Sequence, residues 1–148
     1  MYTLKLSTKV MSGRENVFKA IKDMERFPEF MTFVKNVKII SNYPNKLISL
    51  WQLEIDGAPI TWRQEDIIDD LNFEIKFRML EGDYEHYEGK LSVESIDADT
   101  SRVNISAQFG WGMPILEEYV KNVLMKKARL ALGGMLKALK LRIEKEYV

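Results

Sequence analysis

Residues 102–139 read RVNISAQFGWGMPILEEYVKNVLMKKARLALGGMLKAL, and the spacing of apolar side chains changes inside this stretch. Val103, Ile105, Ala107, Phe109 and Trp111 alternate with polar neighbours, the two-residue period of a strand with one buried face. Beyond Gly112 the period lengthens. Pro114 suits a first helical turn, and Leu116, Val120, Leu124, Ala128, Ala131, Met135 and Leu139 then recur three or four residues apart. A helix from Pro114 to near Tyr147 spans about 50 Å at about 1.5 Å per residue. Its apolar stripe needs a sheet to cover, which points to an α+β domain.

Upstream, the sheet is written out strand by strand. KNVKIISN, LISLWQLEI, ITWRQEDIID, NFEIKFRML and YEGKLSVESI precede the strand quoted above. Tyr43-Pro44-Asn45, Asp56-Gly57, Asp70-Leu71, Glu81-Gly82-Asp83 and Asp97 to Thr100 divide them. The dividers are short and rich in turn formers, so the six strands read as an antiparallel meander. Tyr2 to Val10 alternates around Leu4, Leu6 and Val10 and gives a first strand. Ser12 and Glu15 have the spacing of a capping box, with Val17, Phe18 and Ile21 behind them at helical spacing, for a short helix to about Asp23. MERFPEFMTF suits a second short helix opening just before Pro28. The order is strand, two short helices, six strands, one long helix, in one domain spanning residues 1–148.

Composition removes several functions. Lys plus Arg and Asp plus Glu both number 22, and a neutral chain is a poor partner for nucleic acid. Lys126, Lys127 and Arg129 read as a solvated helix face. Cysteine is absent, which excludes thiolate zinc sites, disulfides and a thiol nucleophile. The N-terminal MYTLKLSTKV lacks the apolar core of a signal peptide, and no apolar run approaches the roughly 18 residues that span a bilayer. The expectation is a cytoplasmic protein with neither metal nor cofactor.

The element order resembles the Bet v 1/START-like (SRPBCC) superfamily. The residues that carry the resemblance are Met24 to Met31 (MERFPEFM), Glu81-Gly82-Asp83 with Tyr87-Glu88-Gly89, and Gly112-Met113-Pro114 before the long helix. The pattern is nearest the polyketide cyclase and coenzyme Q-binding branch. The resemblance implies a helix-grip fold, in which a curved seven-stranded antiparallel sheet surrounds the C-terminal helix and the two short helices form a lid. It also implies an apolar cavity between sheet and helix.

Strand parity names the side chains that would line such a cavity. Phe73, Ile75, Phe77 and Met79 form one inward set, and Trp51, Leu53 and Ile55 another. In ITWRQEDIID the even set Ile60, Trp62, Gln64, Asp66 and Ile68 reads as the buried side. Phe30, Trp51, Trp62, Gln64, Phe77, Met79, Tyr87, Phe109, Trp111, Leu116, Val120, Leu124 and Ala131 are the resulting ligand-binding candidates. Aromatase/cyclases of the superfamily place an arginine in the cavity from the strand that holds Trp62. That position aligns here with Glu65 or Asp66, and the strand's arginine, Arg63, falls on the outer face by parity. Arg63 is the candidate catalytic residue; none is assigned. His86 is the only histidine and reads as a surface residue beside Glu88. Tyr84 and Tyr87 offer hydroxyls. Gly133-Gly134 interrupts the long helix, and close approach to the sheet is the expected reason.

Three functions follow. The first is binding or carrying a small hydrophobic molecule such as a lipid, quinone or polyketide. The alternative is a polyketide aromatase/cyclase-type enzyme, which needs an inward cation or acid. A third is a macromolecular partner bound on the outer surface. No nucleic acid, no integral membrane association and no particular protein partner is expected.

Overall fold

Alternation produces the strands that it predicts. In the computed structural model, which describes residues 2–82, 86–110 and 114–147 and the side chains of the last stretch from 121 to 146, seven strands form one antiparallel sheet. They are β1 (Tyr2–Val10), β2 (Val34–Tyr43), β3 (Lys46–Ile55), β4 (Ala58–Asp69), β5 (Glu74–Gly82), β6 (His86–Asp97) and β7 (Thr100–Gly110). The sheet order is β1-β7-β6-β5-β4-β3-β2, a six-strand meander with the first strand added beside the last. Ile55 pairs with Ala58 across Asp56-Gly57, whose φ values of 53° and 79° are those of a two-residue primed turn. That turn matches the right-handed twist of its two strands and fixes their register.

The start of the first helix departs from the capping-box expectation. Helix α1 runs Arg14–Lys22 and takes extended Gly13, not Ser12, as its cap, with no side-chain capping bond. Ser12 is buried because the chain turns inward there: its carbonyl accepts a 2.7 Å hydrogen bond from Ser101 Oγ. A 3₁₀ helix follows over Met24–Glu29, with Pro28 inside it rather than at its opening. Proline is tolerated there because the helix is one short segment and Pro28 has few residues behind it to disrupt.

The long helix α2 covers Pro114–Tyr147 without a break and lies in the grip of the sheet, against β1 and α1. One hydrophobic core joins Leu4 and Val10 of β1, Val103 and Ala107 of β7, Val17 of α1, and Leu132, Leu136 and Ile143 of α2. Fully burying such side chains stabilises by about 1.5–3 kcal/mol each. Lys126, Lys127 and Arg129 are exposed, as a solvated face requires. Of the two mid-helix glycines, Gly134 makes the close approach, but to a different partner. A Cβ there would sit 2.6 Å from the Phe33 ring, which lies before β2 and not in the sheet, and Gly133 faces open space. Among the described residues no helix is long and apolar enough to cross a membrane.

Candidate functional site

The inner faces of β3 to β7 do not close completely on α2. They leave an apolar cavity of about 130 Å³. Trp51, Leu53 and Ile55 reach it from β3, Ile75 and Phe77 from β5, Tyr87 and Leu91 from β6, and Ile105 and Phe109 from β7. Helix α2 contributes Ala128, Ala131, Leu132 and Met135, and the two short helices contribute Ile21, Met24 and Phe27. Small side chains at Ala128 and Ala131 leave the space; larger residues at those helix positions would fill it.

Aromatic rings form a continuous wall across the strands, from β3 to β7. Trp51 and Trp62 stack nearly parallel at 5.6 Å, and Phe27 meets Trp51 edge-on at 5.9 Å. Tyr87 links the rest, 6.0 Å from Trp62, 5.3 Å from Phe77 and 5.0 Å from Phe109. Phe77 lies over Gly89, where a Cβ would come within 2.7 Å of its ring. Such pairs add about 0.5–1.5 kcal/mol beyond area burial and hold the rings in fixed orientations.

One strand brings polar groups to this wall. The inner face of β4 presents Trp62, Gln64 and Asp66, joined in a chain of hydrogen bonds. Trp62 Nε1 donates to Gln64 Oε1 at 2.8 Å, and Gln64 Nε2 donates to Asp66 Oδ1 at 2.9 Å and Oδ2 at 3.2 Å. Asp66 is 2% exposed. Burial pushes its carboxyl up to about 7; the Gln64 hydrogen bond pulls the other way, and the Glu65 charge adds to the rise. Glu65, on the outer face, is treated oppositely. Arg78 Nε at 2.9 Å and Lys46 Nζ at 3.1 Å hold it, and the Arg78 hydrogen bond, against desolvation, keeps its carboxyl below the usual range.

The cavity gathers seven of the sequence candidates: Trp51, Trp62, Gln64, Phe77, Tyr87, Phe109 and Ala131. Phe30 is elsewhere, half-buried under the Arg142 guanidinium at 5.0 Å beside a separate surface cleft. Met79 and Leu124 are half-buried outside the lining, and Phe73 turns with φ of 54° to pack on Phe18 at 5.3 Å. Trp111 and Tyr84 fall outside the described residues, as do the side chains of Leu116 and Val120. Arg63 is exposed on the outer face, opposite Leu50 and Glu81. The pairing of β4 with β5 slips beside it, but the extra residue is Leu80 on β5, so Arg63 keeps its outward side. His86 is half-buried, with Nε2 3.1 Å from Glu88 Oε1. Among the described residues no group of three or more His, Cys, Asp or Glu side chains is placed to hold a metal. Asp66 is the residue that sequence reasoning placed on the buried side without giving it a role; an acid in phase with Trp62 and Gln64 was the available signal.

A sheet gripping a long C-terminal helix in this element order has counterparts among known proteins. Residues 14–135 match the family model described as polyketide cyclase/dehydrase and lipid transport. The chain belongs to that family. Among curated proteins none matches it in sequence. A Thermus thermophilus protein superposes with a TM-score of 0.91 at 20% identity, covering 99% of this chain and 100% of its own. The Zhui aromatase/cyclase of Streptomyces sp. R1128 superposes with a TM-score of 0.91 at 14% identity, over 99% and 96%. A START superfamily protein from Mycobacterium smegmatis gives 0.83 at 20% identity, over 99% of both chains. At such identities the likeness establishes the helix-grip fold alone, and function has to be argued from the site. Membership of the polyketide cyclase/dehydrase and lipid transport family supports a role that is either hydrophobic-ligand binding or cyclase-type.

Proposed function

We propose that this chain is a binding protein for a compact, ring-bearing hydrophobic molecule held in the cavity between sheet and α2. The observation that carries the reading is the chamber itself: about 130 Å³, walled by aromatic and aliphatic side chains, with β4 bringing the polar Gln64 and Asp66 to its lining. An apolar cavity of about 150 Å³ stays dry and takes up benzene, whereas sites for drug-sized ligands run to about 300–1,000 Å³. The volume therefore favours one ring with a short substituent over a long-chain lipid or a full polyketide chain. The cyclase alternative needs a cation to stabilise an enolate. Arg63 on the outer face does not supply one, and the described lining contains no Lys, Arg or His.

Thermal stability in the presence of graded ligands tests the reading, because a molecule that binds only the folded chain stabilises it by mass action, about 2.7 kcal/mol at a hundredfold excess over Kd. The expected series rises for single-ring compounds and falls away for three fused rings and for long-chain fatty acids. A melting temperature raised by the long chains or the fused rings, and unmoved by single rings, would overturn it.

A further inference from the structure

We infer that Asp66 selects the ligand by donating a hydrogen bond from its protonated carboxyl into the cavity, so that the molecule taken up is a neutral aromatic compound bearing a carbonyl oxygen. The inference rests on the cavity being a binding site, as proposed above, and adds the chemistry of what it selects.

The direction of the hydrogen-bond chain is the main argument. An indole N–H can only donate, so Trp62 Nε1 fixes Oε1 of Gln64 on its own side and turns the Gln64 amide nitrogen toward Asp66. Asp66 thus receives donors from within the strand. A neutral carboxyl has in addition one proton to give, and Gln64 Nε2 has no lone pair to accept it. Gln64 Nε2 lies within hydrogen-bond distance of both carboxyl oxygens and can take a proton from neither, and Asp66 borders the chamber.

The surroundings favour the neutral acid over an ion pair. Its cross-strand neighbours are Leu47 on β3 and Phe77 on β5, both uncharged. Ile21 and Met24 of the two short helices and Ala128 and Leu132 of α2 share its chamber, and Tyr87 of β6 is the one other titratable group in the described lining. Glu65, next to it in sequence, points the opposite way and is neutralised there by Lys46 and Arg78. Burial in this setting is what lifts the carboxyl to about 7. A ligand carbonyl supplies the acceptor that a buried donor otherwise lacks.

The test titrates acetophenone and ethylbenzene, which have similar rings and differ in the carbonyl, at pH 5.5 and pH 8.5. If the protonated form alone binds the ketone, its apparent Kd rises about thirtyfold over that interval, in proportion to the competent fraction lost. Ethylbenzene is expected to change less than about threefold over it, having no acceptor to lose. Asp66→Asn retains a donor that does not titrate, so acetophenone binding should persist and become flat with pH. Asp66→Leu should bind both rings alike. The wild-type comparison needs no variant to fold. Acetophenone and ethylbenzene bound equally at both pH values would overturn the inference while leaving the binding reading intact, and so would a preference for benzylamine that grows with pH. If neither neutral ring binds at either pH, the binding reading fails and the inference with it.

Discussion

Ionising Asp66 places a charge among apolar side chains at a position 2% exposed, and its carboxyl titrates near 7 against an ordinary value of 3.8. The folded-state value is the higher of the two. Stability carried by the protonated form is therefore complete below about pH 4 and is lost as pH rises through about 7. At about 1.4 kcal/mol per pKa unit, the loss between pH 5 and pH 8.5 is about 3 kcal/mol. Asp66→Asn has nearly the same shape and does not titrate. Urea unfolding should therefore show wild type losing about 3 kcal/mol relative to the variant over that interval, and parallel profiles for the two would contradict the placement of Asp66. The sequence shows Asp66 in phase with Trp62 and Gln64, which is enough to put it inside. What it cannot show is whether a cation waits opposite: that depends on Lys46 and Arg78 being spent on Glu65 across two neighbouring strands.

Elements were legible where the period was regular. All seven strands and the long helix follow from alternation, turn residues and the three-to-four spacing, because one face of each is buried and a slip of one residue would expose it. The cap of α1 was not legible, since the Ser12-x-x-Glu15 spacing is local and the Ser101 hydroxyl that draws Ser12 inward lies 89 residues away. Helix α2 offers a test at this scale in its paired glycines. Gly133→Ala meets nothing and should gain about 1 kcal/mol from helix propensity. Gly134→Ala has the same gain but drives a methyl against the Phe33 ring, and overpacking costs about 1–3 kcal/mol. Denaturant midpoints should rank Gly133→Ala above Gly134→Ala by more than about 1 kcal/mol. Equal midpoints would mean that Phe33 does not pack against α2 at Gly134.

The whole molecule is a helix held in a curved sheet, and the binding proposed for it turns on the space the two leave between them. That a cavity exists was implied by the resemblance of the element order; its size was not, because the volume is a small remainder between large packed surfaces, set by Ala128 and Ala131 on one side and the stacked Trp51 and Trp62 on the other. Parity listed inward residues without separating those that fill the core, such as Val103, from those that border the void, such as Phe109. Phe30, a candidate from the second short helix, packs beneath Arg142 instead. The central claim is that a single-ring molecule occupies this chamber. Nuclear Overhauser contacts between bound ethylbenzene and the methyl groups of the protein test it most directly. Contacts are expected to Ile75, Ile105, Ala131 and Leu132, and none to the exposed Leu71 or Leu130; contacts confined to exposed methyls, or none with the cavity methyls at saturating ligand, would contradict occupancy of the chamber.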